Sequence, residues 1–229
     1  MTGSATDRRT GGQDGGRSAG RVDGRVQRGE ETRRAVLRRA VEIASVEGLG
    51  ALSIGRLATD LGLSKSGVFA GFGSKEELQL ATVRAARRIY FDAVIAPVAD
   101  DRPGLAAVWR LFESWIAYSR ARVFPGGCFF YAVTAEFDAQ PGPVRDLLAT
   151  SAREWQQTVR TLLEGARDAG ELRADADPDQ LVFALTSFME TANSQALLFD
   201  EDAPYDRAVR AARSLLRAEA SDPAALPEG

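Results

Sequence analysis

The stretch GLSKSGVFAGFGSKEEL, residues 62–78, constrains the fold more than any other part of the chain. Glycines punctuate it, three serines stand at its joints, and it lies between two helical stretches. Gly62, after Leu61, supplies the positive φ of a sharp turn. Ser64 is placed to cap a short helix. Ser74, with Glu77 three residues on, makes a capping box that opens another helix. Upstream, Val36, Leu37, Ala40, Val41 and Ala44 recur at helical spacing from about Glu30, and Gly48 and Gly50 stop that helix. Ser53 then caps a short helix ending near Asp60.

Three helices, the last two short and joined by a glycine turn, form a helix-turn-helix. Ala58 is small where the two short helices cross, Val68 packs back on the second, and Leu57, Leu61 and Leu63 complete a small core. Such a motif presents its last helix to DNA. The charge supports this. Residues 1–90 carry 16 Lys+Arg against 10 Asp+Glu, whereas residues 91–229 carry 13 against 22. A basic front on an acidic rear suits a protein whose front alone meets a polyanion. Of the 29 basic residues only Lys65 and Lys75 are lysines, and both lie in the motif.

The sequence LSIGRLATDLGLSKSGVFAGFGSKEEL resembles the DNA-binding domain of the tetracycline-repressor (TetR) family of transcriptional regulators, with the match covering about residues 30–80. The resemblance implies a homodimer that sets one recognition helix per subunit into successive major grooves of a palindromic operator. It also implies a ligand-binding C-terminal domain. Ser64, Lys65, Ser66 and Gly67 form the first turn of the recognition helix. Small side chains let the backbone approach the duplex, Lys65 can reach a guanine edge or a phosphate, and Ser66 can donate to either. Lys75, Ser53 and Arg33 are candidate phosphate contacts. The chain departs from the family at position 69, often tyrosine and here Phe69, and at position 71, often histidine and here Gly71. Fewer phosphate anchors are expected from this loop, with Arg33, Arg34 or the tail compensating. Phe69 stays among the DNA-facing positions, although its ring, like that of Phe72, reads as core locking the third helix to the fourth.

The expected organisation is all-α. Residues 1–28 read as a disordered Gly/Arg-rich tail, 29–80 as the DNA-binding domain, 81–220 as a helical ligand-binding and dimerisation domain, and 221–229 as a second disordered tail. Arg17, Arg21, Arg25 and Arg28 of the first tail read either as an arm for the minor groove or as a solvated tail. The fourth helix is expected to run to about Ile95, ended by Pro97. Further helices are expected near 103–121, 128–138, 143–169, 178–199 and 204–219. The 178–199 helix is too apolar for one wet side. In the family the last two long helices build the dimer, which places Phe188, Ala192, Ala196, Tyr205, Val209, Ala212 and Leu216 at the interface; the alternative is that they cover only their own core.

Aromatic residues crowd the segments between. An aromatic-rich bundle can enclose an apolar cavity, with Trp109, Phe112, Cys128, Tyr131, Trp155 and Phe188 as candidate lining. Glu190 and Asn193 either orient a polar group of the ligand or bond across the dimer. Cys128, after two glycines, reads as inert core or as a redox sensor at a helix start.

The absence of histidine, with a single cysteine, excludes Ser-His-Asp and Cys-His chemistry and the ordinary zinc sites. Glu136 and Asp138, at i and i+2, do not share a helix face and so make no catalytic pair; Asp138 reads instead as a turn cap. No enzyme activity, cofactor, metal or membrane span is expected, and a lone cysteine fits the cytoplasm. The expected function is a dimeric DNA-binding regulator, a repressor released by a small apolar or aromatic ligand. Ligand would act by tilting the fourth helix. The alternative is a helix-turn-helix regulator answering to a protein partner or to Cys128 oxidation, with no small-molecule ligand.

Overall fold

The computed structural model describes residues 19–226, and every described element is helical apart from one isolated bridge between Leu172 and Ala220. Helix α1 spans Ala19–Glu47 and ends where Gly48 turns the chain at φ 83° into a 3-10 turn, Leu49–Ala51. Helices α2 (Ile54–Asp60), α3 (Lys65–Phe72) and α4 (Lys75–Tyr90) follow. All three begin on the serines expected to cap them. Ser53 accepts from Arg56 N at 3.1 Å, Ser64 from Gly67 N at 3.1 Å and Ser74 from Glu77 N at 3.0 Å. Only half of the expected capping box forms, because Ser74 N donates to Phe72 O rather than to a Glu77 carboxylate. Gly62 takes φ 64°, which lets Leu63 N reach Ala58 O at 2.8 Å and closes the end of α2.

Helix α1 starts earlier than its apolar pattern does. Residues 19–28, expected within a disordered tail, are helical. The run RVQRGEETRR is made largely of good helix formers, and extending an existing helix needs no new nucleus. Arg21, Arg25 and Arg28 therefore belong to a helix and not to an extended arm; Arg17 and the rest of that tail, residues 1–18, lie outside the described residues. The expected second tail, 221–229, is ordered as far as residue 226, and residues 227–229 lie outside the described residues. Asp222 caps a 3-10 turn over Pro223–Ala225, Ser221 N donates to Glu171 O at 2.9 Å, and Leu226 is buried.

Helix α4 leaves α-geometry at Tyr90 and continues through a π turn (Phe91–Ile95); Pro97, expected to end it, lies instead inside a following 3-10 turn (Ala96–Val98). Helices α5 (Leu105–Arg120), α6 (Phe129–Phe137), α7 (Pro143–Asp168), α8 (Pro178–Phe199) and α9 (Ala203–Glu219) build the rear bundle. Here α8 and α9 pack along each other, and α5 lies against α7, α8 and α9. Helix α1 packs on α4 and also on α6, so the front and rear parts touch through more than the helix that joins them.

Candidate functional site

Two regions carry the chemistry: the exposed face of α3 and a cavity in the rear bundle. In the front part, α2 and α3 cross over Leu57, Ala58 and Val68, all buried. Phe72 is buried beneath α3, whereas Phe69 is 53% exposed. The expectation that both rings lock α3 to α4 therefore fails for Phe69, because position 69 falls on the outer side of a helix with room for one inward row. Ser64, Lys65, Ser66 and Gly67 are all exposed at the start of α3. Gly67 has a local reason to be glycine: a Cβ there would stand 2.9 Å from the Ser64 hydroxyl that caps the helix.

The candidate phosphate contacts are more engaged than the sequence suggested. Arg33 donates to Gly71 O and lies 4.4 Å from the centroid of Phe72, so its guanidinium buttresses the end of α3. Arg34 pairs with Glu30. Lys75 Nζ donates to Gly50 O at 2.6 Å, which leaves its other two N–H groups to face outward. Ser53 is exposed and holds the start of α2.

The rear cavity, of about 520 Å³, opens between α4, α5, α6, α7 and α8. Of the eight candidate ligand residues, Cys128, Tyr131, Trp155 and Glu190 line it. The other four do not. Trp109 and Phe112 stack on each other at 5.9 Å in the core, and Arg213 of α9 covers Trp109. Phe188 packs against the core. Asn193 is buried and structural: its Oδ1 accepts from Cys128 N at 2.8 Å and from Ser119 Oγ at 3.0 Å. Helical spacing identifies apolar positions but not which side of α5 or α8 meets the void.

Several lining residues went unselected in the sequence. Trp115, Phe130 and Tyr90 are among them, with Arg87, Phe91 and Glu154. Tyr90, the last residue of α4, holds Tyr118, Phe130 and Trp155 edge-on at 5.3, 5.4 and 5.5 Å. The signal available was the density of aromatic residues in the rear half; the end of α4 carried none. The π turn begins at the next residue, a geometry often found beside functional sites.

Burial pushes the Cys128 thiol above its ordinary range, although backbone donors at the start of α6 oppose the shift. Desolvation outweighs the helix terminus here, so the thiol stays protonated and poorly nucleophilic, against the redox-sensor reading. The loop before it has a structural duty. Gly126 N approaches Ser45 Oγ at 3.3 Å, and a Cβ on Gly126 would meet Ser45 O at 1.8 Å. Only glycine lets this loop lie on the end of α1.

The cavity and the front part share one further link. Glu136 of α6, and not Asp138 as expected, caps a turn, 86 residues upstream. Its carboxylate accepts from Leu49 N and Gly50 N, both at 2.7 Å. Leu49 O in turn accepts from Gln79 Nε2 at 3.0 Å, and Gly50 O from Lys75 Nζ. The 3-10 turn after α1 is thus held from one side by α6 and from the other by α4.

The expected dimer positions are mostly internal. Ala192, Ala196, Tyr205, Ala212 and Leu216 are buried inside their own protomer, and Phe188 and Val209 are half-buried. The apolar residues that α8 exposes are Phe183, Leu197, Leu198 and Phe199. The hairpin has two apolar faces, and the one read as an interface is the one that covers α5.

Two family models match the chain: "Bacterial regulatory proteins, tetR family" over residues 36–82, and "Tetracyclin repressor-like, C-terminal domain" over residues 104–212. A similar curated protein is the transcriptional regulator AcuR of Cereibacter sphaeroides, 25% identical over 166 residues, which are 72% of this chain and 76% of that one. Similar solved structures include a TetR transcriptional regulator from Chloroflexus aurantiacus, with TM-score 0.79, 24% identity, and coverage of 85% of this chain and 98% of that one. Another is a putative transcriptional regulator from Saccharomonospora viridis in complex with choline, with TM-score 0.68, 20% identity, and coverage of 83% and 98%. At these identities the solved structures establish the fold. The first match takes in the capped reading helices and the start of α4, the second begins at the rear bundle, and together they cover well over half of the chain; on that ground the protein belongs to the TetR family of bacterial transcriptional regulators.

Proposed function

We propose that the protein acts as a homodimer, reads a palindromic operator with two copies of α3, and leaves it when a small ligand fills the rear cavity. The family's members are transcription factors and not enzymes. The observation that carries the reading is the first turn of α3. Four consecutive small or flexible residues, Ser64 to Gly67, stand exposed on a helix whose cap is already satisfied internally. A helix tip built this way has its Gly67 N–H satisfied within the chain and presents only small or flexible side chains to a major groove. The exposed apolar side chains of α8 support pairing with a second copy, since Phe183 and Leu198 are 68% and 77% exposed in one protomer.

Ligand control follows two routes from the cavity. Arg87, Tyr90 and Phe91 line it at the end of α4, about 24 Å of helix away from Lys75. Thr134, Ala135 and Asp138 line it on α6, flanking the Glu136 that grips the turn after α1. A ligand that shifts α6 or the end of α4 changes the support of the reading head, and DNA and ligand then weaken each other reciprocally. The repressor direction is carried over from the family resemblance. Cys128 oxidation is the weaker alternative, because the thiol is buried and its pKa raised.

Lys65→Ala tests the reading. Fluorescence anisotropy against an operator duplex and a scrambled duplex should give a specificity ratio that falls by roughly 5–100-fold in the variant. Equal ratios for both proteins would remove α3 as the reader.

A further inference from the structure

We infer that the cavity takes an organic ammonium, a positively charged nitrogen next to an aromatic or apolar body, with Glu190 as its counter-ion and the rings of Tyr131, Trp115 and Trp155 among its walls. The inference rests on the ligand-binding reading above and names the chemistry of that ligand. Four charged side chains line the cavity: Arg87, Asp138, Glu154 and Glu190. Arg87 is the single cation among the described lining residues, and it is paired with Glu154 across the α4–α7 contact. Among the described residues the side chains of Asp138 and Glu190 make no hydrogen bond or ion pair. The Glu190 carboxylate therefore faces the cavity without a partner, with that of Asp138 also in the lining, beside Arg145, whose Nε donates to the Asp138 backbone carbonyl. An anionic ligand would meet these carboxylates with repulsion and no free cation in the lining to offset it.

The neutral polar groups point the same way. Ser151 Oγ donates to Leu147 O at 2.8 Å and Thr158 Oγ1 to Glu154 O at 2.9 Å. Each hydroxyl spends its hydrogen on its own helix and offers the cavity only lone pairs. Tyr131 donates to Thr186 O. The two hydroxyls of α7 thus offer the ligand acceptors, which suits a group that brings protons or positive charge.

The rings supply the rest. Trp115 and Tyr131 stand 5.9 Å apart, and Trp155 and Phe130 are fixed by Tyr90. Aromatic faces attract cations through their quadrupole, tryptophan most strongly. A rigid aromatic frame with an unpaired carboxylate at its edge recognises an ammonium by both Coulomb and cation–π attraction, and neither acts on an uncharged molecule of the same shape.

Phenyltrimethylammonium and tert-butylbenzene form a matched pair for the test, equal in shape and different in charge. Titrated into the full chain by calorimetry, with quenching of Trp115 and Trp155 as a second readout, the cation should bind at least ~5-fold tighter than the hydrocarbon. Glu190→Gln, at an exposed position, should bring that ratio to within ~2-fold, and Trp155→Leu should reduce it as well. Equal affinity for the two probes in the native protein would overturn the inference while leaving a ligand cavity. A preference that survives Glu190→Gln would overturn the role of Glu190. Binding of neither probe would overturn the inference together with the ligand-binding reading beneath it.

Discussion

Phe69 shows how much one hydroxyl can decide at the reading surface. Its ring is more than half exposed on the face of α3 that also presents Lys65 and Ser66. A bare phenyl ring there can pack on a sugar or a thymine methyl but cannot donate to a phosphate. Arg33 is tied to the end of α3 by Gly71 O and the Phe72 ring, which limits how far its remaining N–H groups can reach. Restoring the hydroxyl should therefore help. Phe69→Tyr is expected to raise operator affinity by roughly 2–10-fold, the gain of one hydrogen bond to a charged oxygen; competition anisotropy measures it, and unchanged or weaker binding would place residue 69 away from the backbone. Much at this scale was legible in advance. Ser53, Ser64 and Ser74 cap the helices that their spacing announces, because a cap is a contact between residues three apart. The exposure of Phe69 was not legible, because α3 has only two turns and its inner face is chosen by α1 and α4.

Between elements the decisive contact is Glu136 on the turn after α1. Each carboxylate oxygen takes one backbone N–H at 2.7 Å, and Gly48 and Gly50 lack the Cβ atoms that would crowd it. Glu136→Ala leaves those two N–H groups without their partner and removes the tie between α6 and the reading head. The expected cost is about 2–4 kcal/mol in urea unfolding, from two hydrogen bonds to a charged group. The transitions should also separate. All three tryptophans, Trp109, Trp115 and Trp155, lie in the rear bundle, so circular dichroism should report the head unfolding before tryptophan fluorescence changes. Coincident, unshifted transitions would mean that α4 alone couples the two parts. Glu136 was visible in the sequence only as half of an acid pair with Asp138. Its partner lies 86 residues away, and no spacing rule reaches that far. Gly126 is a similar case: the two glycines before Cys128 suggested a helix start that activates a thiol, whereas Gly126 is there to lie against Ser45 O.

Across the whole molecule, charge and apolar surface divide the labour. The first ninety residues, which include the reading head, carry sixteen basic against ten acidic residues, while the acidic remainder builds a cavity with Glu190 and Asp138 in its lining. The all-α plan and the helix order were readable from periodicity and breakers, since a 3.6-residue stripe and a glycine or proline stop are local signals. Which stripe faces a partner was not. Helices α8 and α9 are apolar on two sides, and the side nominated for dimerisation is spent on α5, leaving Phe183 and Leu198 outside. That surface, and the distance it sets between two copies of α3, is the part of the account on which operator reading depends. The most direct test is a footprint of the purified protein on the DNA flanking its own gene. The account predicts two protected half-sites in inverted repeat, spaced about one helical turn or a multiple of it apart, and lost together in Lys65→Ala. A single unrepeated footprint, or protection that survives Lys65→Ala, would contradict it.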